Sequence, residues 1–276
     1  MNIDQLIEAA FLEDLPSGDI TTDALELGPV PGQARLLAKE DLVLSGREVF
    51  EKCIRYQEPE AELKWLFDDG DMCLKNQIIC TIKGDFAKLL KAERTALNFI
   101  GHLSGVATLT RCFVQKVAHT QTKILDTRKT LPGYRELEKK AVADGGGQNH
   151  RLNLSDKVMI KDNHIAAAGG ITSAVERVRA KGHKFIEVEA RTLEEVDEAV
   201  KNKVSQILLD NMSVETMKKA LQLIPRDIKT EASGNMTIDR VAAVAETGVN
   251  FISVGALTHS APNADISMKI EWPLRR

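Results

Sequence analysis

The chain has little cysteine. Its four residues of that type, Cys53, Cys73, Cys80 and Cys112, are scattered without a C-x-x-C spacing. This argues against a disulfide framework or a zinc site and suits reduced thiols packed in a core. No window approaches the roughly 18 uninterrupted apolar residues that a bilayer span requires. The amino terminus, MNIDQLIEAAFLEDL, has acids where an export signal carries a basic region and then an apolar run. It reads as a surface helix, and cytoplasm is the expected location. A basic excess is missing too: 37 Lys and Arg against 40 Asp and Glu leave a net charge of -3. That argues against a nucleic-acid partner, so any anion site must be local. There is no low-complexity segment, no repeat of about 20 to 50 residues beyond a βα period, and no HExxH or comparable metal-hydrolase spacing.

What is present is an ordinary globular composition. The 276 residues, 43% apolar and 28% charged, suffice for one α/β barrel and a small companion domain without disulfide or metal staples. From about residue 122 short β-rich runs alternate with helical stretches: KILDT, KVMIKD, FIEVE, QILLD, IKTEAS and NFISVG are strands. TSAVERVRAKG, LEEVDEAVKNK, SVETMKKALQLI and IDRVAAVAETG are amphipathic helices between them. The alternation predicts parallel βαβ units. A doubly wound sheet would show the same pattern. Polar residues closing strand after strand (Arg128, Lys161, Glu189, Asp210, Ser233, Gly255) favour a barrel, whose active sites collect residues from many strand ends.

The first 120 residues read differently. QARLLAKED, LVLSG, AELKWLF and QIICTIKG are antiparallel strands, framed by helices near 4–14 and 46–56. A helical stretch from Asp85 to about Ala118, interrupted around Gly101 to Gly105, leads into the barrel. The last strand-like run, ISMKIEW, follows the barrel and would return to the first domain. The expected domains are 1–110 with 266–276, and 111–265.

Chemistry concentrates in DTRKTLPGYRELEKKAVADGGGQNHRLNLSDKVMIKDNHI. Arg128, Lys129, His150, Arg151 and Lys161 sit at strand ends or loops, with a flexible glycine triplet at 145–147. Such cations on one mouth repel unless solvent or an anionic ligand compensates them. Arginine forks and mobile lysines together point to a polyanion; solvated surface charge is the bland alternative for any single one. In IEVEA the period of two puts Glu187 and Glu189 on one face, and QILLDN ends with Asp210. These acids can hold a hydrated Mg²⁺, hydrogen-bond ribose hydroxyls, or simply pair with Arg or Lys. The late loops EASGNMT and SVGALTHS, with Ser233, Gly234, Asn235 and Gly255, lie where barrels bind phosphate through backbone amides.

The ordered series DTRKT-PG-R, EK-AV--GGG-NHR, IKDNHI, IEVEA, LLDNMS, EASGN and GALTHSAP, with ERTALNFIGHLSG at 93–105, resembles the quinolinate phosphoribosyltransferases across nearly the whole chain. The resemblance implies a type II phosphoribosyltransferase fold: an N-terminal α/β open-faced sandwich and an incomplete α/β barrel. It implies transfer of phosphoribosyl from phosphoribosyl pyrophosphate to quinolinate, with decarboxylation, in NAD biosynthesis. It implies a homodimer or assembly of dimers in which the first domain of one subunit closes the barrel mouth of another. Arg94 would then reach quinolinate from the neighbouring subunit, and Arg128, His150 and Arg151 would bind its carboxylates. Lys129 and Lys161 would lie between the substrates. Glu189 and Asp210 would meet ribose hydroxyls and hydrated Mg²⁺, with Ser233, Gly234, Asn235, Gly255 and Ala256 around the 5-phosphate. Leu131 and Asn153 depart from the family pattern, where Thr and Gly are common. The alternatives are a paralogue of the same fold with another acceptor, a Schiff-base aldolase built on Lys161, and a non-catalytic sugar-phosphate binder.

Overall fold

A computed structural model describes residues 2–271 and divides the chain into two compact units. The first takes the described chain up to Arg111, Leu131–Gly146 and the described residues from Ala261; the second takes Cys112–Thr130 and Gly147–Ser260.

The first unit begins with helices α1 (Ile3–Asp14) and α2 (Ile20–Ala24). Asn2 caps α1 by accepting from the Gln5 amide at 2.9 Å, while the Gln5 side chain accepts from the Asn2 amide. Two otherwise orphaned donors are thereby satisfied. Strands β1 (Pro31–Ala38) and β2 (Leu42–Val43) precede α3 (Arg47–Gln57). Then come β3 (Glu62–Trp65), β4 (Met72–Cys73) and β5 (Ile78–Asp85). The two-residue β4, which pairs with β2, is too short to show a period in sequence. Helix α3 buries Val49, Phe50, Cys53 and Ile54, and Tyr56 near its end stacks on Phe11 of α1 with ring centroids 4.7 Å apart.

Helix α4 (Phe86–Val117) corrects one expectation, because it runs unbroken through Gly101 and Gly105. Those glycines mark a close crossing and not a break. A Cβ on Gly105 would fall 1.9 Å from the Pro262 carbonyl oxygen, and the Gly101 carbonyl accepts from the Ala264 amide at 2.9 Å. The helix tolerates the roughly 1 kcal/mol that a glycine costs where the returning chain crosses it too closely for a Cβ at Gly105.

Strand β6 (Lys123–Leu125) opens the second unit, but α5 (Arg135–Asp144) goes back to the first. Leu131–Gly146 was expected in the barrel domain; polar anchors explain its placement with the first unit. Glu138 meets His102 at 2.7 Å, Asp144 accepts from Ser45 at 2.7 Å, and Lys140 pairs with Asp69 at 2.6 Å.

The second unit continues as β7 (Val158–Ile160), α6 (Asp162–Ala168), α7 (Ile171–Ala180), β8 (Ile186–Ala190), α8 (Leu193–Lys201) and β9 (Gln206–Asp210). It ends with α9 (Val214–Leu223), β10 (Lys229–Ser233), α10 (Val241–Ala245), β11 (Phe251–Ser253) and α11 (Ala256–His259). All six strands are parallel, in the spatial order β6-β11-β10-β9-β8-β7. The first strand lies beside the last and the others follow chain order. A doubly wound sheet would reverse direction at a switch point, so this is barrel winding. It is incomplete: beyond β6, among the described residues, only a Leu125–Gln148 bridge extends the ladder toward β7.

The strand alternation builds the interior. In β8 every residue is buried; Ile186, Val188 and Ala190 alternate with Glu187 and Glu189, so the two carboxylates share the opposite face. Thr192 and Ser213 cap α8 and α9 through the amides of Glu195 and Thr216, fixing where each chain turns out of its strand.

Strand β12 (Ile266–Glu271) returns to the first unit and pairs antiparallel with β1, giving the sheet order β12-β1-β5-β3. Arg35 and Glu271 form an ion pair across this edge. Residues 272–276 of the expected return segment lie outside the described residues.

Candidate active site

At the C-terminal ends of the barrel strands lies a pocket of about 650 Å³, built wholly from the second unit. Of the residues expected at a site, Lys129, His150, Lys161, Glu189, Asp210, Ser233, Gly234, Asn235, Gly255 and Ala256 line it. Arg128 and Arg151 do not border this pocket. Arg151 is buried, with Nη1 donating to the Lys157 carbonyl at 2.9 Å and Nη2 3.7 Å from the Met159 sulfur. Burial, and then the charge of Arg128, lower the pKa of its guanidinium. Arg94 is exposed on α4, in the first unit. A surface groove of about 880 Å³ in the first unit is lined by Glu58, Glu60, Glu62, Asp85 and Glu271, with Lys83 as its one cation among the described residues. That acidic lining does not match a polyanion.

One wall of the barrel pocket is acidic. Glu189 is 8% exposed. Burial, and then the nearby Asp210 charge, push its carboxyl above the usual range against the pull of Lys161 and Arg191. Lys161 Nζ stands 3.7 Å from Glu189. Arg191, at the exit of β8, reaches Glu189 at 3.2 Å, Asp210 at 3.2 Å and Asp162 at 2.9 Å. Two adjacent carboxylates that need a cation between them, facing an open pocket, are hard oxygen donors of the kind a hydrated Mg²⁺ accepts. The residues present therefore fit that ion, with the half-exposed Arg191 as the group it would compete with.

The opposite wall is backbone. Asn211, Gly234 and Asn235 all have positive φ (55°, 95° and 48°), and a Cβ on Gly234 would sit 2.1 Å from Asn211 Oδ1. Only glycine allows the β9 and β10 loops to approach this closely. Arg240 straps them together, donating to the carbonyls of Gly234 at 3.0 Å, Asn235 at 3.3 Å and Met212 at 2.7 Å. Across the pocket, Thr258 Oγ1 donates to the Lys129 carbonyl at 2.7 Å, so the loops after β6 and β11 are tied as well. Such turned loops present amide groups to an anion.

The floor is His150. Its amide donates to buried Asp126 at 2.8 Å, and Nε2 lies 3.5 Å from Glu187 and 3.4 Å from Glu231. Burial alone would lower the imidazole pKa; the two carboxylates outweigh it and bring it up to about 9. Nδ1 is 2.7 Å from the Arg151 amide, so a ring carrying both protons must turn from that amide. Burial pushes Glu187 up, with His150 pulling it down. Gln206 donates to both carboxylates, at 3.0 Å to Glu187 and 2.7 Å to Glu231.

Sequence reasoning missed Arg191, Glu231, Asp162, Asn211 and His259, all of which border the pocket. For two of them the signal was present. Arg191 shares the parity of Glu187 and Glu189, and Glu231 that of Ser233, so the period of two placed them on the inner face.

The sequence matches the family described as quinolinate phosphoribosyl transferase in both its domains, the N-terminal over residues 19–104 and the C-terminal over 106–269. A probable nicotinate-nucleotide pyrophosphorylase [carboxylating] of Synechocystis sp. is 44% identical, over 97% of this chain and 92% of its own. Its Bacillus subtilis counterpart is 42% identical over 98% and 94%. The crystal structure of nicotinate-nucleotide pyrophosphorylase from Ehrlichia chaffeensis superposes with a TM-score of 0.94 at 39% identity, covering 98% of this chain and 99% of that one.

Proposed function

The chain belongs to the quinolinate phosphoribosyltransferase family, and from that premise we propose that the barrel pocket joins quinolinate to phosphoribosyl pyrophosphate with loss of CO₂, yielding nicotinate mononucleotide. One observation carries this reading: a single pocket sets lysines 129 and 161 against carboxylates 189 and 210 and a backbone cradle at Gly234 and Gly255.

Each wall then has a task. The 5-phosphate lies against the loops at Gly234, Asn235, Gly255 and Ala256, with Ser233 beside them. Glu189 and Asp210 take the ribose hydroxyls and hydrated Mg²⁺, which when bound neutralises charge on the diphosphate. Lys129 and Lys161 reach the gap between the two substrates, where charge grows on the departing diphosphate as the pyridine nitrogen attacks C1 of the ribose. Holding both reactants in line is worth roughly 7 to 11 kcal/mol in ideal intramolecular cases. No covalent nucleophile is required. His150, on the floor of this pocket, is the basic group placed to meet a quinolinate carboxylate; Arg128 and Arg151, which do not border the pocket, hold that role only as the family resemblance implies it.

The working unit is a homodimer or an assembly of dimers. Arg94, exposed on α4, then completes the acceptor site of a neighbouring subunit. The location is cytoplasmic; among the described residues no helix is long and apolar enough to cross a membrane.

Turnover of quinolinate against nicotinate, each with phosphoribosyl pyrophosphate and Mg²⁺, tests the assignment. Quinolinate alone should support nucleotide formation; equal use of nicotinate would sink it.

A further inference from the structure

Glu231 is not explained by substrate binding as described above. It is 0% exposed, yet it borders the pocket. One oxygen, Oε2, accepts from Gln206 at 2.7 Å and lies 3.4 Å from His150 Nε2. The other, Oε1, is buried and has no hydrogen-bond partner among the described residues. Buried carboxylate oxygens are rarely left without a donor. An apolar side chain at this position would cost less, so the group invites a functional explanation.

Below Glu231 the polar groups continue. His150 borders both the main pocket and a second chamber of about 130 Å³. Glu187, Gln206, Phe185, Phe251 and Lys157 line that chamber. Gln206 and Phe251 are the first residues of β9 and β11, and Lys157 and Phe185 immediately precede β7 and β8. The chamber therefore lies at the N-terminal base of the barrel, opposite the mouth. Lys157 is exposed and Phe185 is 41% exposed, so it reaches the surface. A continuous line of exchangeable groups thus runs from the base through His150 to Glu231 and the pocket.

Resting on the proposed reaction, we propose that Glu231 is a further catalytic residue: it delivers the proton that replaces the lost carboxylate on the pyridine ring, and His150 resupplies it from the base of the barrel. Once the ring nitrogen is bonded to ribose, the bond between ring C2 and its carboxylate breaks, CO₂ leaves, and the electron pair stays on C2. The C2–H bond forms with a proton from Glu231 Oε1. Oε2 takes one from Nε2 of the protonated imidazole, and the imidazole regains its proton from solvent through water in the lower chamber. A half-turn of the carboxyl brings the proton-bearing oxygen back to the ring, so that one solvent proton is consumed per turnover. Entry from below lets the proton arrive while both substrates fill the mouth. Gln206 is a positioning residue, holding the Oε2 edge toward His150 so that Oε1 is left for the ring.

Single-turnover experiments with Glu231→Gln read the two halves of the reaction separately, with diphosphate release reporting ribosyl transfer and CO₂ release reporting decarboxylation. Diphosphate release should stay near the wild-type rate while CO₂ release slows about a hundredfold. Quinolinate mononucleotide should accumulate, because an unprotonated C2 recaptures CO₂ before it escapes. CO₂ release at the wild-type rate, or an equal slowing of both releases, would overturn the proposal. If Glu231→Gln does not melt cooperatively, Glu231→Asp replaces it: accumulation of the mononucleotide supports the relay, and its absence contradicts it. Wild-type protein that releases neither diphosphate nor CO₂ from quinolinate would instead fail the functional assignment itself.

Discussion

Replacing Gly234 by alanine probes the phosphate cradle without touching any charged group. At φ 95° a side chain is strained, at a cost of about 1 to 2 kcal/mol. The new Cβ would lie 2.1 Å from Asn211 Oδ1, so one of the two loops must retreat by roughly 1 Å to restore a normal contact. Arg240 ties both loops through three carbonyls, and the displacement therefore spreads along the amide-bearing wall. A shift of about 1 Å can cost a hundredfold in a positioned reaction. The expected outcome is a fall in kcat/KM for phosphoribosyl pyrophosphate of about ten- to a hundredfold at saturating quinolinate, with a drop in Tm of about 2 to 8 °C. A lowered Tm with unchanged kinetics would refute the placement of the 5-phosphate at this loop.

Folding stability should depend on pH through His150. Its pKa is raised from 6.5 to about 9 in the folded chain, so its contribution is complete below about 6.5 and is lost as pH climbs through about 9, amounting to about 3 kcal/mol at most. Urea unfolding between pH 6 and 9.5 should show this loss, and His150→Asn should flatten it; parallel curves would remove the imidazole as the cause. Phe50→Ala, at a fully buried position of α3, should cost about 3 to 5 kcal/mol in chemical denaturation. Mixing Arg94→Ala with Lys161→Ala protein and allowing subunits to exchange should restore activity that neither has alone, since one site in the mixed dimer would be intact. Failure to recover activity after confirmed exchange would contradict a shared site.

Much of the fold was legible because parallel barrel strands announce themselves twice, by β-rich runs and by the polar residues that end them. The polar strand ends already favoured a barrel over a doubly wound sheet, but the difference itself lies in which strand neighbours β6, and the pairing of β6 with β11 decides it. The α4 glycines misled for a related reason. Gly101 and Gly105 read as a break in local terms, whereas their cause is the distant Pro262–Ala264 crossing. Likewise nothing local indicates that α5 packs with the first unit through Ser45, Asp69 and His102. At the pocket, charged residues at strand ends were readable, and Arg191 and Glu231 would have been had the period of two been carried along every strand. The link from His150 to Glu231 was not, because it depends on how far β10 sits from a loop 81 residues earlier in the chain.

The most direct measurement is the stoichiometry of a single assay with quinolinate labelled in its C2 carboxylate, phosphoribosyl pyrophosphate and Mg²⁺. The expected result is equal amounts of labelled CO₂, diphosphate and nicotinate mononucleotide. Diphosphate released without a matching yield of CO₂ and nucleotide would contradict the assignment of this pocket.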